Sequence, residues 1–444
     1  MADFITDTHR ELCVETLKEL IAIPSVLNEG EDGTPFGKDI QRALETTLGI
    51  ANNLGFKTYI DPKGYYGYAE IGEGETLIAI LCHLDVVPAG DLSKWKTNPF
   101  EAVIENNQLF GRGSQDDKGP TVASMYAVKA LLDAGVPFNK RIRFIYGTDE
   151  ETLWRCMARY NEIEEVADMG FAPDSSFPLT YAEKGLLQVK ITGKGSSDLS
   201  LELGEAFNVV PGKASYSGEN QKELIENLTR LGYAYETTDD TVVVIGESKH
   251  SKDAGDGINA IIRLIEGLSP IQTHSTIDFL LTHIGHDGTG SQLFGKIEDE
   301  PSGQLSFNVA GLTIDENHSE IRIDMRIPVL ADKDALVKQL SETVAQYGLV
   351  YEEFDYVRPL YVPLDSQLVQ TLLSVYRDMT GDMSPAMSSG GATFARTMKN
   401  CVAFGAAFPH TLLTEHQENE RIPLNDLYKA MSIYAEAIYR LLML

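Results

Sequence analysis

The stretch TLIAILCHLD, residues 76–85, decides how this chain folds. Thr76 to Cys82 form a short, nearly continuous apolar run, the pattern of a strand covered on both faces. The run stops at His83 and Asp85. In extended backbone, residues two apart point the same way, so both polar groups leave one side of the strand just past its end. In open α/β sheets that carboxyl edge is where ligands bind.

Reading outward, RIRFIYG (141–147) repeats the buried-strand pattern, and TVASMYAVKALLDAG (121–135) between the two predicts a helix closed by Gly135. Upstream, Leu12, Thr16, Leu17, Leu20 and Ile21 recur at helical spacing, and so do Ile40, Ala43, Leu44, Leu48 and Ala51. This alternation predicts an α/β domain with a mixed, largely parallel sheet flanked by helices. From residue 183 the texture changes. Strand-like LLQVKITGKG, DTVVVIGESKH and SEIRIDMRIPV mix with helical GINAIIRLIEGL and DALVKQLSETVAQYG, which predicts an inserted α+β domain over 183–358. Amphipathic helices return in LVQTLLSVYRDMTG and NDLYKAMSIYAEAIYRLL, so the α/β domain is expected in two parts, 1–182 and 359–444.

Composition narrows the partners. The chain has 444 residues, 43% hydrophobic and 23% charged, enough for more than one domain core. A formal charge of −29 repels polyanions such as nucleic acid and acidic membrane surfaces. The start MADFITDTHRELC lacks a basic-then-apolar leader pattern, and no run of about 18 apolar residues is present, so a cytoplasmic protein is expected. Cys13, Cys82, Cys156 and Cys401 are widely spaced and read as reduced thiols.

Polar residues collect after the apolar runs. Asp149, Glu150 and Glu151 follow RIRFIYG directly; three adjacent carboxylates at a buried edge are costly unless a cation neutralises them. Asp174 follows the apolar start of MGFAPDSSFP, and Asp116 and Asp117 sit in the glycine-bracketed loop FGRGSQDDKGP. His416 lies in LLTEHQENERI, while His410 follows Phe408-Pro409 in a turn. Each alone reads as a cap, a solvated turn or a histidine satisfied by a neighbouring carboxylate. Together they make a two-metal type of ligand set, imidazole and carboxylate without thiolate, suited to zinc, cobalt or manganese. His274, His283, His286 and His318 have no motif around them and read as structural or surface residues.

The ordered series HLDVVP, GRGSQDDKG, GTDEE, APDSSFP, SSGGATFAR and EHQENE resembles the dinuclear zinc exopeptidase and deacylase family, which includes aminoacylases, carnosinases and succinyl-diaminopimelate desuccinylase, most of all its PepV-type bacterial dipeptidases. The likeness runs from about residue 8 to the end. It implies two divalent ions, zinc first with manganese or cobalt as alternatives. His83 and Asp174 would hold one ion, Glu151 and His416 the other, and Asp116 would bridge. Asp85 would orient the His83 ring, and Glu150 would be the general base.

The resemblance further makes 183–358 a lid that closes over the metals. His250 in GESKHSKDAGDGINA would donate to the oxyanion, with a solvated loop residue as its alternative. Gly390, Gly391 and Arg396 of SSGGATFAR would grip a substrate carboxylate. Asn208 and Arg326 would reach the substrate from the lid, a strand-face salt bridge being the other reading of Arg326. The implied activity is hydrolysis of unblocked dipeptides, extending to β-alanyl and Xaa-His dipeptides, by a monomer acting on small peptides. The rivals are an N-acyl amino acid deacylase or desuccinylase, a metal-binding protein without catalysis, and a two-metal phosphoesterase. The last would want basic residues near the metals, where the motifs offer Arg112 and Lys118.

Overall fold

Leu77–His83 is a strand buried at every position, and its neighbours explain why. In the computed structural model, which describes residues 4–30, 33–204, 206–238 and 240–444, it pairs in parallel with Arg141–Gly147 on one side and Met169–Ala172 on the other. Cys401–Ala403 then pairs in parallel with Met169–Ala172. Tyr66–Ile71 and Lys57–Ile60 extend the opposite flank in antiparallel sense. The sheet is thus mixed, with parallel strands at its centre.

Helix Leu424–Met443 packs on helix Lys118–Asp133, which also meets helix Asp7–Ile21, while Lys38–Asn53 covers the antiparallel flank. The helix expected from residue 121 begins at Lys118 instead. Pro120 does not prevent this, because amides of a first helical turn have no intrahelical acceptor to lose. At the other end Ala134 is the cap, and Gly135 follows at φ +74°, a left-handed position that favours glycine.

Gly170 shows how tightly the central strands meet. It lies in register between Ala79 and Cys401. A Cβ there would stand 2.3 Å from the Ala79 carbonyl oxygen and 3.0 Å from Cys401 Sγ. Gly170→Ala is therefore expected to destabilise the protein by about 1–3 kcal/mol through overpacking, read as a lowered midpoint of thermal unfolding; an unchanged midpoint would mean that the strands can separate without cost.

The chain divides into two compact units, one comprising Met1–Tyr181, Leu360–Met387 and Ala392–Leu444, the other Ala182–Pro359 with Ser388–Gly391. The second is α+β. Its five-stranded antiparallel sheet runs in the order Leu201–Gly204, Ser306–Ile314, His318–Ile327, Gly185–Lys194, Val350–Val357. Along Gly185–Lys194 burial alternates, so Leu187, Val189 and Ile191 face a core shared with Ile321, Ile323 and Met325 and with Ile261, Leu264, Ile265 and Leu268 of helix Ala260–Leu268. Among the described residues no helix is long and apolar enough to cross a membrane.

Candidate metal centre

Parallel pairing aligns strand ends. His83 is opposite Gly147, and Ile80 is opposite Phe171, so the residues leaving these three strands emerge at one edge of the sheet. His83 closes its strand, Glu150 and Glu151 follow Gly147 in the next turn, and Asp174 lies just beyond Ala172. The loop ahead of helix Lys118–Asp133 brings Asp116 to the same edge, and the segment between Ala406–Ala407 and Arg421–Pro423 brings His416.

The two oxygens of Asp116 face two different imidazoles: Oδ1 is 2.9 Å from His83 Nε2, and Oδ2 is 3.0 Å from His416 Nε2. Glu151 Oε2 lies 3.1 Å from His416 Nε2, and Asp174 Oδ2 lies 3.6 Å from His83 Nε2. Ligands about 2.0–2.1 Å from a tetrahedral ion stand about 3.3 Å from one another, which these separations bracket. Two sets, His83 with Asp116 and Glu151, and His83 with Glu150 and Asp174, each gather their ligand atoms within 4.8 Å.

In this cluster both imidazoles and the carboxylates of Glu150, Glu151 and Asp174 hold their protons more tightly than usual, while contacts with the two histidines keep Asp116 ionised. Burial, followed by the fields of Asp116 and the other carboxylates, pushes Asp174 and Glu150 well above the ordinary carboxylate range. Burial and Asp116 raise Glu151 as well. Hydrogen bonds to Asp116 and Glu151 lift His416 to about 11. Burial opposes protonation of His83, yet the Asp116 and Asp85 contacts and the field of Asp174 raise it. Protons thus gather where divalent cations would replace them. Thiolates do not compete, since burial holds Cys82 and Cys156 far above their usual pKa. The donor set therefore fits zinc, manganese or cobalt.

Asp85 supports the cluster in two ways. The nearer contact of His83 Nδ1 is the Asp85 main-chain oxygen at 3.0 Å; the carboxylate Oδ1 is at 3.6 Å, too far for an ordinary hydrogen bond. The other carboxylate oxygen accepts the Glu151 amide at 3.0 Å, fixing the turn that carries Glu150 and Glu151. The adjacent acids divide their tasks. Asp149 forms a bidentate pair with Arg155 at 2.7 and 2.9 Å, so a guanidinium neutralises this member of the carboxylate run. Asp117, whose pKa burial pushes up to about 7, accepts from the His83 amide at 3.2 Å and the Thr121 hydroxyl at 2.9 Å. The sequence reading gave Asp117 no such role, although its place beside Asp116 was the available signal.

The basic residues of the motifs are already committed. Arg112 donates to Glu420 at 2.8 Å and to the Pro88 carbonyl at 3.1 Å. Lys118 donates to the carbonyls of Leu20 and Ile23 at 2.9 and 2.8 Å. Neither is left for a phosphate, which removes the support for a phosphoesterase. Arg396 is buried, with its guanidinium 5.9 Å from the Trp154 ring centroid. His410 pairs with Asp426 at 3.0 Å outside the cluster. His274, His283, His286 and His318 meet Thr276, Tyr347, Glu266 and Asp315 respectively.

In the second unit, Arg326 and Asp324 point from one face of strand His318–Ile327 and form a bidentate pair at 2.7 and 3.0 Å. Arg326 also donates to the Gly390 carbonyl at 3.1 Å and to Ser251 Oγ at 2.9 Å. Exposed Asn208 accepts the Ser251 amide at its main-chain oxygen, 2.8 Å away. His250 Nδ1 accepts the Lys252 amide at 3.1 Å. This bond requires an unprotonated Nδ1, so the neutral ring carries its hydrogen on Nε2. Burial, with Arg326 and Lys252 nearby, lowers the His250 pKa and favours that neutral form.

Known proteins resemble this chain along nearly its whole length. The model of Peptidase family M20/M25/M40 matches residues 79–440. The chain is 34% identical over 457 residues to "Putative dipeptidase YtjP" of Bacillus subtilis (strain 168), covering 97% of each sequence. It is 33% identical over 455 residues to "Putative dipeptidase SH1171" of Staphylococcus haemolyticus (strain JCSC1435), covering 96% of each. Among solved structures it is similar to human carnosine dipeptidase 1, with TM-score 0.62 at 16% identity over 99% of this chain and 97% of that one. It is also similar to the di-peptidase Dug1p from Saccharomyces cerevisiae, with TM-score 0.63 at 14% identity over 99% and 97%. At such identities the structural likeness speaks for the fold. The chain belongs to Peptidase family M20/M25/M40 and is a metal-dependent peptidase.

Proposed function

We propose that this peptidase is a dipeptidase that cleaves unblocked dipeptides, including β-alanyl and Xaa-His dipeptides, with two zinc ions. The observation that carries the reading is the single carboxylate of Asp116 set between His83 and His416, 2.9 and 3.0 Å away, with Glu150 in the same cluster. In this reading His83 and Asp174 would hold one ion, His416 and Glu151 the other, and Asp116 would contribute to both. Bound there, the ions would polarise the scissile carbonyl and bring the pKa of a shared water towards neutrality.

Glu150 is the carboxylate that this pairing leaves over. It takes the proton of the attacking water and returns it to the departing amine. His250, whose Nε2–H is its remaining donor, stabilises the developing oxyanion. Arg396 and the amides of Gly390 and Gly391 hold the substrate carboxylate, with Asn208 and Arg326 as further contacts from the inserted unit. The Asp324 pair keeps the Arg326 fork in one orientation.

The test is a matched panel of Leu-Gly-type and β-alanyl-histidine dipeptides against their N-acetylated forms. Metal-stripped protein is assayed before and after zinc, manganese or cobalt is added. Cleavage is expected for the free-amine set alone and only with metal. Cleavage confined to the acetylated set would make the protein a deacylase, and silence on both sets with every metal would overturn a catalytic role.

A further inference from the structure

The loops that carry Asp116 and His416 hold each other. Glu420, four residues after His416, is fully buried. Its Oε1 accepts the amides of Gln115 at 2.8 Å and Asp116 at 3.1 Å. Its Oε2 accepts the Gly113 amide at 3.0 Å and Arg112 Nη1 at 2.8 Å. In return Gln115, next to Asp116, reaches into the other loop. Its Oε1 accepts the amides of Thr414 at 2.6 Å and Glu415 at 3.0 Å, and its Nε2 donates to the Leu412 carbonyl at 3.1 Å.

We infer that Glu420 and Gln115 form a reciprocal clamp that sets the distance between Asp116 and His416, and thereby governs affinity for the ion those two residues share. The inference rests on the ligand reading proposed above. Three features of the geometry carry it. Each loop is gripped through main-chain amides, so the clamp acts on the course of the backbone. Each gripping side chain stands within four residues of a candidate ligand. His416 itself adopts φ +60°, a left-handed conformation unfavourable for a non-glycine residue that the surrounding bonds must hold. A carboxylate buried this deeply would be costly in isolation; three amides and the Arg112 guanidinium satisfy it. Glu420 and Gln115 are positioning residues and contact neither the water nor the substrate.

The test is titration of cobalt into the metal-stripped full-length protein, followed by visible absorption and calorimetry so that two binding steps are resolved. Gln115→Ala changes a half-buried position and is expected to weaken the step that depends on His416 by about tenfold or more, as losses of ligand-supporting groups do, with the His83-dependent step unchanged. A general loss of fold would not weaken one step selectively. Glu420→Gln is expected to act in the same direction; where it fails to fold for want of a charge opposite Arg112, Gln115→Ala decides. His416→Ala and Glu151→Gln identify the step. If both still bind two ions as the parent does, the ligand reading falls. If they lose one ion while Gln115→Ala binds both normally, the clamp falls and the ligand reading stands.

Discussion

Replacing Glu150 by glutamine is expected to lower kcat by about 10²- to 10⁴-fold, the range a positioned general base contributes, while metal content and KM stay close to the parent's. The glutamine amide preserves size and polarity but cannot accept a proton from water. Because the loss falls on the transition state, kcat and kcat/KM should fall together. The neighbouring change, Glu151→Gln, supplies the contrast. Glu151 lies 3.1 Å from His416, so its replacement should remove a metal ion as well as activity. Steady-state kinetics with metal analysis on both variants separates the roles. Activity of Glu150→Gln within tenfold of the parent would exclude Glu150 as the base.

Asp116→Ala is expected to have the widest effect on metal content. Its two oxygens face His83 and His416 separately, so in the proposed ligand assignment their removal would take a donor from both ions at once. Affinity at both sites should fall by more than the ~10- to 100-fold that loss of a merely supporting group costs. Activity should drop to the level of chelator-treated protein, and added zinc should restore the parent but not the variant. Retention of both ions by Asp116→Ala, measured by elemental analysis after dialysis, would show that Asp116 does not bridge. Losing one ion alone would assign it to a single site.

The centre of the fold was legible because burial on both faces leaves a plain signature. Leu77 to Cys82 and Arg141 to Gly147 read as apolar runs, and the structure makes both into central parallel strands. The start of the helix at Lys118 was hidden because glycine and proline also mark loops; only the absence of an intrahelical partner for a first-turn amide permits Pro120 there. The visit of Ser388–Gly391 to the second unit has no signal in sequence, since it depends on groups such as Arg326 that are distant along the chain.

The candidate cluster was legible for a related reason: His83, Glu150, Glu151 and Asp174 each follow an apolar run that ends at the same sheet edge. Pattern alone could not divide Asp149 from its two neighbours, because the guanidinium that takes it, Arg155, belongs to the helix that follows. Nor could it find the exchange between Gln115 and Glu420. Both stand inside the quoted motifs, but each grips main-chain amides of the other's loop, a relation that exists only once the loops meet.

The place of Cys401–Ala403 matters before the protein is finished. This late segment occupies an interior position of the sheet, between Met169–Ala172 and Thr180–Glu183. On the ribosome, Met169–Ala172 therefore emerges with one edge unpaired and must wait until Cys401–Ala403 has been made. Unpaired strand edges invite association with other chains. A nascent chain stopped short of residue 401 would carry His83, Asp116, Glu151 and Asp174 but lack both the closing strand and His416. Synthesis of residues 401–416 thus closes the sheet and supplies His416 together, so the site and the interior strand are completed in the same step.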